Sequence, residues 1–443
     1  MKKVLMLGAG MVAKPMAEYL LKNGFQLTIA SRTVTKAKQL IGDNENGTAV
    51  GWTTDETEKL EELISKHDLT VSLLPYTFHI DVAKQCIKHG KNMVTTSYVS
   101  EEMKQLDSEA KKAGVLILNE VGVDPGLDHM TAMRIIDKVH ENGGKIKKFY
   151  SLCGALPAPE EANNPFKYKF SWSPRGVLLA GNNGAKFLKD SETVEIPTED
   201  LFKNPLQVEF SEVGQMEVYP NRDSLQYLTL YNLPETETMY RGTLRYPNWC
   251  KIMDAIKALG MLSYEEHNFE NTSYKEIVAE ELNVYPRNVK EKVAERLKLE
   301  LNSPAIEAME WLGYFDKEMI QQQNGSTFDI TSYLMQNKMM LSVGARDMVI
   351  LQHSFLVENS DSTQKVINAH LLEFGNNENT AIARTVALPA AIAVKLILNG
   401  SIQEKGVQIP INKAIYEPVL NELSTIGITM QEQSELPLSE MPE

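Results

Sequence analysis

Three cysteines in 443 residues, Cys86, Cys153 and Cys250, are too few and too far apart for a disulfide framework. None belongs to a Cys-x-x-Cys pair, so the pattern is that of a reduced compartment, and the cytosol is the expected location. Positive charge is also short: 45 Lys and Arg face 59 Asp and Glu, a net charge of −14 that would repel nucleic acid and anionic lipid. No nucleic-acid or membrane partner is expected, and an anionic ligand must find a local cationic pocket. Long uncharged apolar runs are missing as well. The most apolar late stretch, 383–398, contains Arg384, Pro389 and Lys395 and is not expected to span a bilayer. At the start, Met1-Lys2-Lys3 and an apolar run over 4–7 are interrupted by Gly8 and Gly10, which suits a strand better than a signal peptide. Tyr-x-x-x-Lys, His-Glu-x-x-His, Gly-x-x-x-x-Gly-Lys-Ser/Thr and Gly-x-Ser-x-Gly are all lacking. Short-chain dehydrogenase relays, zinc hydrolysis, nucleoside triphosphate hydrolysis and serine esterase chemistry lose their usual signatures. No metal site is expected.

What is present begins with alternation. Apolar runs at 4–7, 27–30, 49–52, 69–74, 93–95 and 115–118 are separated by stretches with helical spacing at 11–22, 36–41, 56–66, 80–89 and 101–112. Continuous apolar runs suit strands buried on both faces, and interleaved helices supply the crossovers of a parallel sheet. The fold class expected is α/β, with a doubly wound Rossmann-type domain over 1–125 and a second, α+β domain over 126–395. In the second domain a helix near 127–139 leads to β-like segments at 145–153, 207–210, 225–231, 339–345 and 348–358, read as a mixed sheet. Strands vanish across a helical subdomain at about 251–330, with helices at 251–262, 274–282, 289–301 and 305–312. The last part of the chain is expected to be helical again at 380–398 and 414–425, with a short strand at 426–430 and a frayed tail after Gln431, and the segment 396–443 is expected to return to the first domain.

Gly8-Ala9-Gly10-Met11-Val12-Ala13 follows the first strand and opens a helix. Gly8 allows the tight turn, Gly10 lets a pyrophosphate approach the backbone, and Ala13 lets helix and strand pack closely. The helix N-terminus then offers N–H groups and a positive dipole end to phosphate. An NAD-type site usually carries an acid about 20 residues beyond the glycines. Here the second strand ends Ser31-Arg32-Thr33, which suits a 2′-phosphate, so NADP(H) is the expected cofactor.

Ligands in open α/β sheets lie beyond the carboxyl ends of the strands. Three such ends carry polar or flexible residues: 74–79, 95–98 and 119–126. Asp124 reads equally well as a helix cap and as a site residue. His79 and His129 read as buried or surface histidines and are not placed among the catalytic groups. Arg175, Arg222, Arg241 and Arg245 gather near Gly and Pro turns, which suits a polycarboxylate substrate, with surface ion pairs as the alternative.

Several long segments together resemble the saccharopine dehydrogenase family of the NADP-dependent, glutamate-forming type. They are Gly8 to Pro15, Leu74-Pro75-Tyr76 with His79, Thr96 to Ser100, Asn119 to His129, Cys153 to Glu160, Tyr219 to Ser224, Arg241 to Arg245 and Lys405 to Pro410. The resemblance covers most of the chain and is weakest near 262–330. It implies an enzyme that joins glutamate to 2-aminoadipate 6-semialdehyde as an imine and reduces it with NADPH, or runs the reverse in lysine metabolism. It implies cofactor contacts at Gly10, Met11, Val12, Ser31, Arg32, Leu74, Val121, Val123 and Ser173, to which the turn chemistry adds Gly8 and Thr33. Substrate contacts are implied at Ser97, Tyr98, Asp124, Arg222, Thr243 and Arg245, and acid–base roles at Tyr98, Asp124 and Cys153. A homodimer is implied too. Ala155 departs from the glycine expected after Cys153-Gly154. Two other readings are a carboxyspermidine-type imine reductase, which would need fewer cations, and a catalytically silent NADPH sensor, which would lack the polar second-domain residues.

Overall fold

A computed structural model describes residues 1–442, and the chain divides into two compact units, Met1–Gly144 with Leu371–Gln431, and Lys145–His370 with Glu432–Glu443. In the first unit six strands, β1 (Lys3–Leu7), β2 (Gln26–Ser31), β3 (Gly47–Gly51), β4 (Leu69–Ser72), β5 (Asn92–Thr95) and β6 (Leu116–Leu118), join the late strand Gly406–Gln408 in one sheet. Every pairing is parallel. The order β3-β2-β1-β4-β5-β6, completed by Gly406–Gln408, is that of a doubly wound sheet. Val4, Leu5, Met6 and Leu7 are all fully buried, which is why β1 reads as an unbroken apolar run rather than an alternating one. Helix α1 (Ala13–Lys22) buries Ala13, Met16, Ala17, Leu20 and Leu21, one stripe at helical spacing. Leu5, Leu7, Val82, Met93 and Ile117 belong to the core on one side of the sheet.

Three expectations for this unit change. The helix expected over 101–112 is two helices, Glu101–Gln105 and Asp107–Lys112, with Leu106 between them. The unit extends to Gly144, beyond the expected boundary at 125, because the helix Leu127–Glu141 packs on the helix Lys413–Thr425, with Tyr416 donating to Asp137 and Lys413 paired with Glu141 at 2.7 Å. The chain re-enters it at Leu371, earlier than 396. Ala381–Leu398 does form a helix long and apolar enough to cross a bilayer, yet 78% of it is buried inside the protein. Arg384 reaches Glu373, and Lys395 pairs with Glu422 at 2.6 Å, so its charges are paired too.

The second unit is built on a nine-stranded sheet. Its central strands Lys145–Pro157 and Thr238–Arg245 are parallel, whereas Asp347–Glu358, Gly214–Pro220 and Leu206–Phe210 pair antiparallel around them. The segment 225–231, expected as a strand, is the helix Gln226–Leu230, whose Tyr227 and C-capping Tyr231 bring their rings to 5.4 Å across one turn. The segment 339–345 is no strand either, because the helix Thr327–Met339 runs up to it and a turn follows. Helices Trp249–Ala258, Tyr274–Glu281, Val289–Leu297 and Pro304–Leu312 fill the expected helical region, joined by a small ribbon of Glu266–Asn268 and Asn324–Ser326. The strand expected at 426–430 is absent, since Gly427 at φ +86° follows the end of a helix. The tail after Gln431 is instead the edge strand Gln431–Leu436 of the second sheet.

Ile117 is fully buried in β6, so Ile117→Ala should cost about 2–5 kcal/mol, against less than about 0.5 kcal/mol for Thr48→Ala on the exposed face of β3. Urea unfolding midpoints of the two variants check this.

Candidate active site

The glycine turn is held by geometry. Gly8 lies at φ +107°, its N–H bonds to Ala30 O at 2.9 Å, and an added Cβ would stand 3.0 Å from Leu73 O. Gly10 is the opposite case: a Cβ there meets nothing within 4 Å, so the space above it is open to a ligand. No side chain caps α1 and no acid occupies its first turn, which leaves the N-terminus available to phosphate. Met11 is exposed and Val12 half-buried at this mouth. At the end of β2, Ser31 Oγ accepts from Thr33 N at 3.3 Å, and Arg32 is exposed and forms no ion pair among the described residues. These residues fit a dinucleotide carrying a 2′-phosphate. Leu74 is half-buried beyond β4, while Val121 and Val123 are buried, so they can contribute walls and backbone groups.

At the neighbouring strand ends the polar groups interlock. Tyr98 OH donates to Asp124 Oδ1 at 2.7 Å. The N-cap of the helix Leu127–Glu141 is Gly126 at φ +145°. Asp128 takes the Gly126 N–H at 2.6 Å, and a Cβ on Gly126 would fall 2.2 Å from the Gly122 backbone. Ser97 is joined to His79, whose Nε2 lies 2.9 Å from Ser97 Oγ and 3.2 Å from Thr95 Oγ1, with Nδ1 2.9 Å from Ser72 Oγ. Burial pushes the His79 imidazole down to about 4. Glu120, buried, accepts Val99 N at 2.8 Å and the His129 imidazole at 2.7 Å. Sequence reasoning left His79, Glu120 and His129 out of the site. The one available signal was a carboxylate embedded in an otherwise buried strand end.

In the second unit, strand register puts Cys153 beside Thr243, and Thr243 beside Tyr219, in one row across three strands. Two residues along, Arg245 shares the face of Thr243. Arg245 is 3% exposed and bonds Leu244 O through Nη1 at 2.8 Å, and among the described residues it makes no ion pair and has no partner for Nε. Its guanidinium lies 5.0, 5.6 and 5.2 Å from the rings of Tyr168, Tyr219 and Trp249, and the Trp249 indole N–H is likewise unpartnered. Burial pushes the Tyr219 hydroxyl up, with Arg245 pulling the other way. Arg222 is exposed at φ +54°, just beyond the strand Gly214–Pro220. The other two arginines are committed elsewhere: Arg175 pairs with Asp329 at 2.8 Å, and Arg241 Nη1 donates to Tyr227 OH at 2.7 Å. Ser173 caps the helix Pro174–Ala180, accepting from Gly176 N at 3.2 Å. Cys153 is half-buried, and no cluster of metal-ligating side chains occurs among the described residues.

Residues 4–118 match the model of the saccharopine dehydrogenase NADP binding domain, and residues 122–428 that of the saccharopine dehydrogenase C-terminal domain. The chain belongs to the saccharopine dehydrogenase family. It is 38% identical to saccharopine dehydrogenase [NADP(+), L-glutamate-forming] of Pyricularia oryzae over 98% of this chain and 99% of that one. The Saccharomyces cerevisiae protein of the same name is 36% identical over the same shares. Rat mitochondrial alpha-aminoadipic semialdehyde synthase is 35% identical over 99% of this chain and 48% of its own length. The apo structure of the L-Glu-forming saccharopine dehydrogenase of S. cerevisiae superposes with a TM-score of 0.90 at 35% identity, covering 98% of this chain and all of that one. The α/β class and the NADP-binding domain stand on these matches.

His79 yields a pH test. Unfolded histidine takes up its proton near pH 6.5, the folded site only near 4, so in that window the unfolded chain binds more protons and stability rises with pH. Stability from this residue is complete above about 6.5 and is lost as pH falls towards 4, amounting to about 2 kcal/mol at pH 5. His79→Asn should therefore show a smaller drop than wild type in urea-unfolding free energy between pH 7.5 and pH 5. An equal drop would rule out His79 as the source.

Proposed function

We propose that this member of the saccharopine dehydrogenase family interconverts saccharopine with L-glutamate and 2-aminoadipate 6-semialdehyde using NADP(H), a step of lysine metabolism. The observation that carries the reading is similarity to the L-glutamate-forming enzyme over nearly the full length of both chains. In the oxidative direction saccharopine, NADP⁺ and water give glutamate, the semialdehyde, NADPH and a proton. NADP, when bound, supplies or accepts the hydride.

This chain's residues do the rest. The turn from Gly8 to Ala13 seats the pyrophosphate, and Ser31, Arg32 and Thr33 hold the 2′-phosphate. Met11, Val12, Leu74, Val121, Val123 and Ser173 complete the cofactor contacts, and Ser97, Arg222, Thr243 and Arg245 bind the substrate. Imine formation and hydrolysis move protons at nitrogen and at the carbinol oxygen, so a positioned donor and acceptor are needed. Tyr98 and Asp124, already joined by a hydrogen bond, take these parts, with Cys153 as a further proton carrier. A buried cation without a carboxylate partner is costly unless an anion meets it. Arg245 is therefore assigned to a substrate carboxylate, which favours a polycarboxylate over a polyamine substrate. A homodimer and a cytosolic location complete the proposal. Light scattering after size-exclusion should return twice the chain mass, and a monomer at micromolar concentration would overturn the dimer.

Purified protein should reduce NADP, in preference to NAD, when given saccharopine, with glutamate as product. Failure with both cofactors would overturn the assignment. Arg32→Ala should lower the preference for NADP roughly 10- to 100-fold, the scale of one charge-assisted hydrogen-bonded contact. Tyr98→Phe and Asp124→Asn should each lower kcat by about 100-fold or more, and near-wild-type turnover in both would remove the acid–base pair from the reaction.

A further inference from the structure

Glu120 has a backbone conformation that its side-chain type avoids. Its φ is +61°, in the left-handed region where residues other than glycine are uncommon and where strain concentrates near function. It is also a carboxylate only 4% exposed, placed between Asn119 and Val121, which are 1% and 0% exposed. Burying such a group is costly unless its oxygens are met. Both are: Oε1 accepts the Val99 N–H at 2.8 Å, and Oε2 accepts from His129 Nε2 at 2.7 Å. His129 is fully buried in the helix Leu127–Glu141, so the carboxylate is held from behind by a rigid element. The Glu120 backbone makes a third contact, N to Ser97 O at 3.1 Å. Residues 97 and 99 are thus each tied to Glu120, on either side of Tyr98.

We propose that Glu120, braced by His129, is a positioning residue that fixes Tyr98 for its hydrogen bond to Asp124. The twist at residue 120 turns one backbone N–H and one carboxylate oxygen towards the same short loop. With its backbone held on both sides, Tyr98 presents its phenol to Asp124 Oδ1, 2.7 Å away. Neither Glu120 nor His129 handles a transferred proton. Their contribution is pre-organisation, where misplacement by about 1 Å can cost about 100-fold in rate. The inference rests on the reading of Tyr98 and Asp124 as the acid–base pair.

The test uses the full chain with saccharopine and NADP, measuring kcat and KM for Glu120→Ala, Glu120→Gln, Tyr98→Phe and the double variant Tyr98→Phe/Glu120→Ala. Glu120→Ala should lower kcat roughly 100-fold while KM for NADP stays within about twofold. Glu120→Gln keeps an acceptor for Val99 and a group that can bond His129, and should recover most of the loss. The double variant should be no slower than Tyr98→Phe alone, because a phenyl ring leaves nothing to aim; a merely structural role would instead add its loss to that of Tyr98→Phe. Additive losses, a Gln variant as slow as Ala, or near-wild-type Glu120→Ala would overturn the proposal. If Glu120→Ala does not fold, His129→Asn, whose shorter side chain withdraws from Oε2, is judged by the same double-variant comparison. Normal turnover in Tyr98→Phe itself would sink the acid–base reading and this inference together, whereas a slow Tyr98→Phe with additive Glu120→Ala would sink this inference alone.

Discussion

A polar group taken out of water has to be met by another, and at the carboxyl edge of the first sheet this requirement shapes the site. The strands there are apolar and buried on both faces, so any hydrophilic side chain at their ends needs a partner within the protein. His79 is met by Ser72, Thr95 and Ser97, and Glu120 by Val99 N–H and His129. Each network ends on the segment 97–99. The groups proposed to touch substrate are consequently the outermost members of networks whose inner members are dry and locked.

The second unit solves a different problem with the same rule. An acidic protein that binds an anion cannot rely on its overall field and must concentrate charge locally. Arg245 is such a local charge, without an ion pair among the described residues and shielded by the faces of Tyr168, Tyr219 and Trp249. Aromatic faces attract a guanidinium without neutralising it, so the charge is left for the substrate carboxylate proposed above. Had Arg245 been paired like Arg175 with Asp329, the same residue would read as part of the scaffold.

The first unit was largely legible in the sequence because its strands are continuous apolar runs and α1 has a clean stripe, two patterns that burial alone dictates. The glycine turn was legible for a related reason, since Gly8 and Gly10 answer to backbone geometry and open space. The second unit was less so. The segment 225–231 carries Tyr227, Thr229 and Tyr231, residue types that favour strands, yet it forms the helix Gln226–Leu230, with the rings of Tyr227 and Tyr231 5.4 Å apart. Thr238–Arg245, the parallel neighbour of Lys145–Pro157, was not expected as a strand, because its pairing is set by residues some ninety positions away. At the site, the strand ends carrying Tyr98 and Asp124 were legible in the sequence and the resemblance gave the two residues their roles, but their bond was not readable. Glu120 and His129 stayed hidden because buried pairing is a property of tertiary structure, invisible to spacing along the chain.

Strand β6 does not end the first sheet. Its outer edge is covered by Gly406–Gln408, almost three hundred residues further along, with Gly406 N bonded to Val115 O at 2.8 Å and Asn119 N to Gln408 O at 2.9 Å. As the nascent chain leaves the ribosome, the nucleotide-binding layer therefore stays open on one flank until Gln408 has been made. An unpaired strand edge is a template for wrong partners. A message cut short after His370 would release a protein that keeps its glycine turn but presents that bare flank to its neighbours.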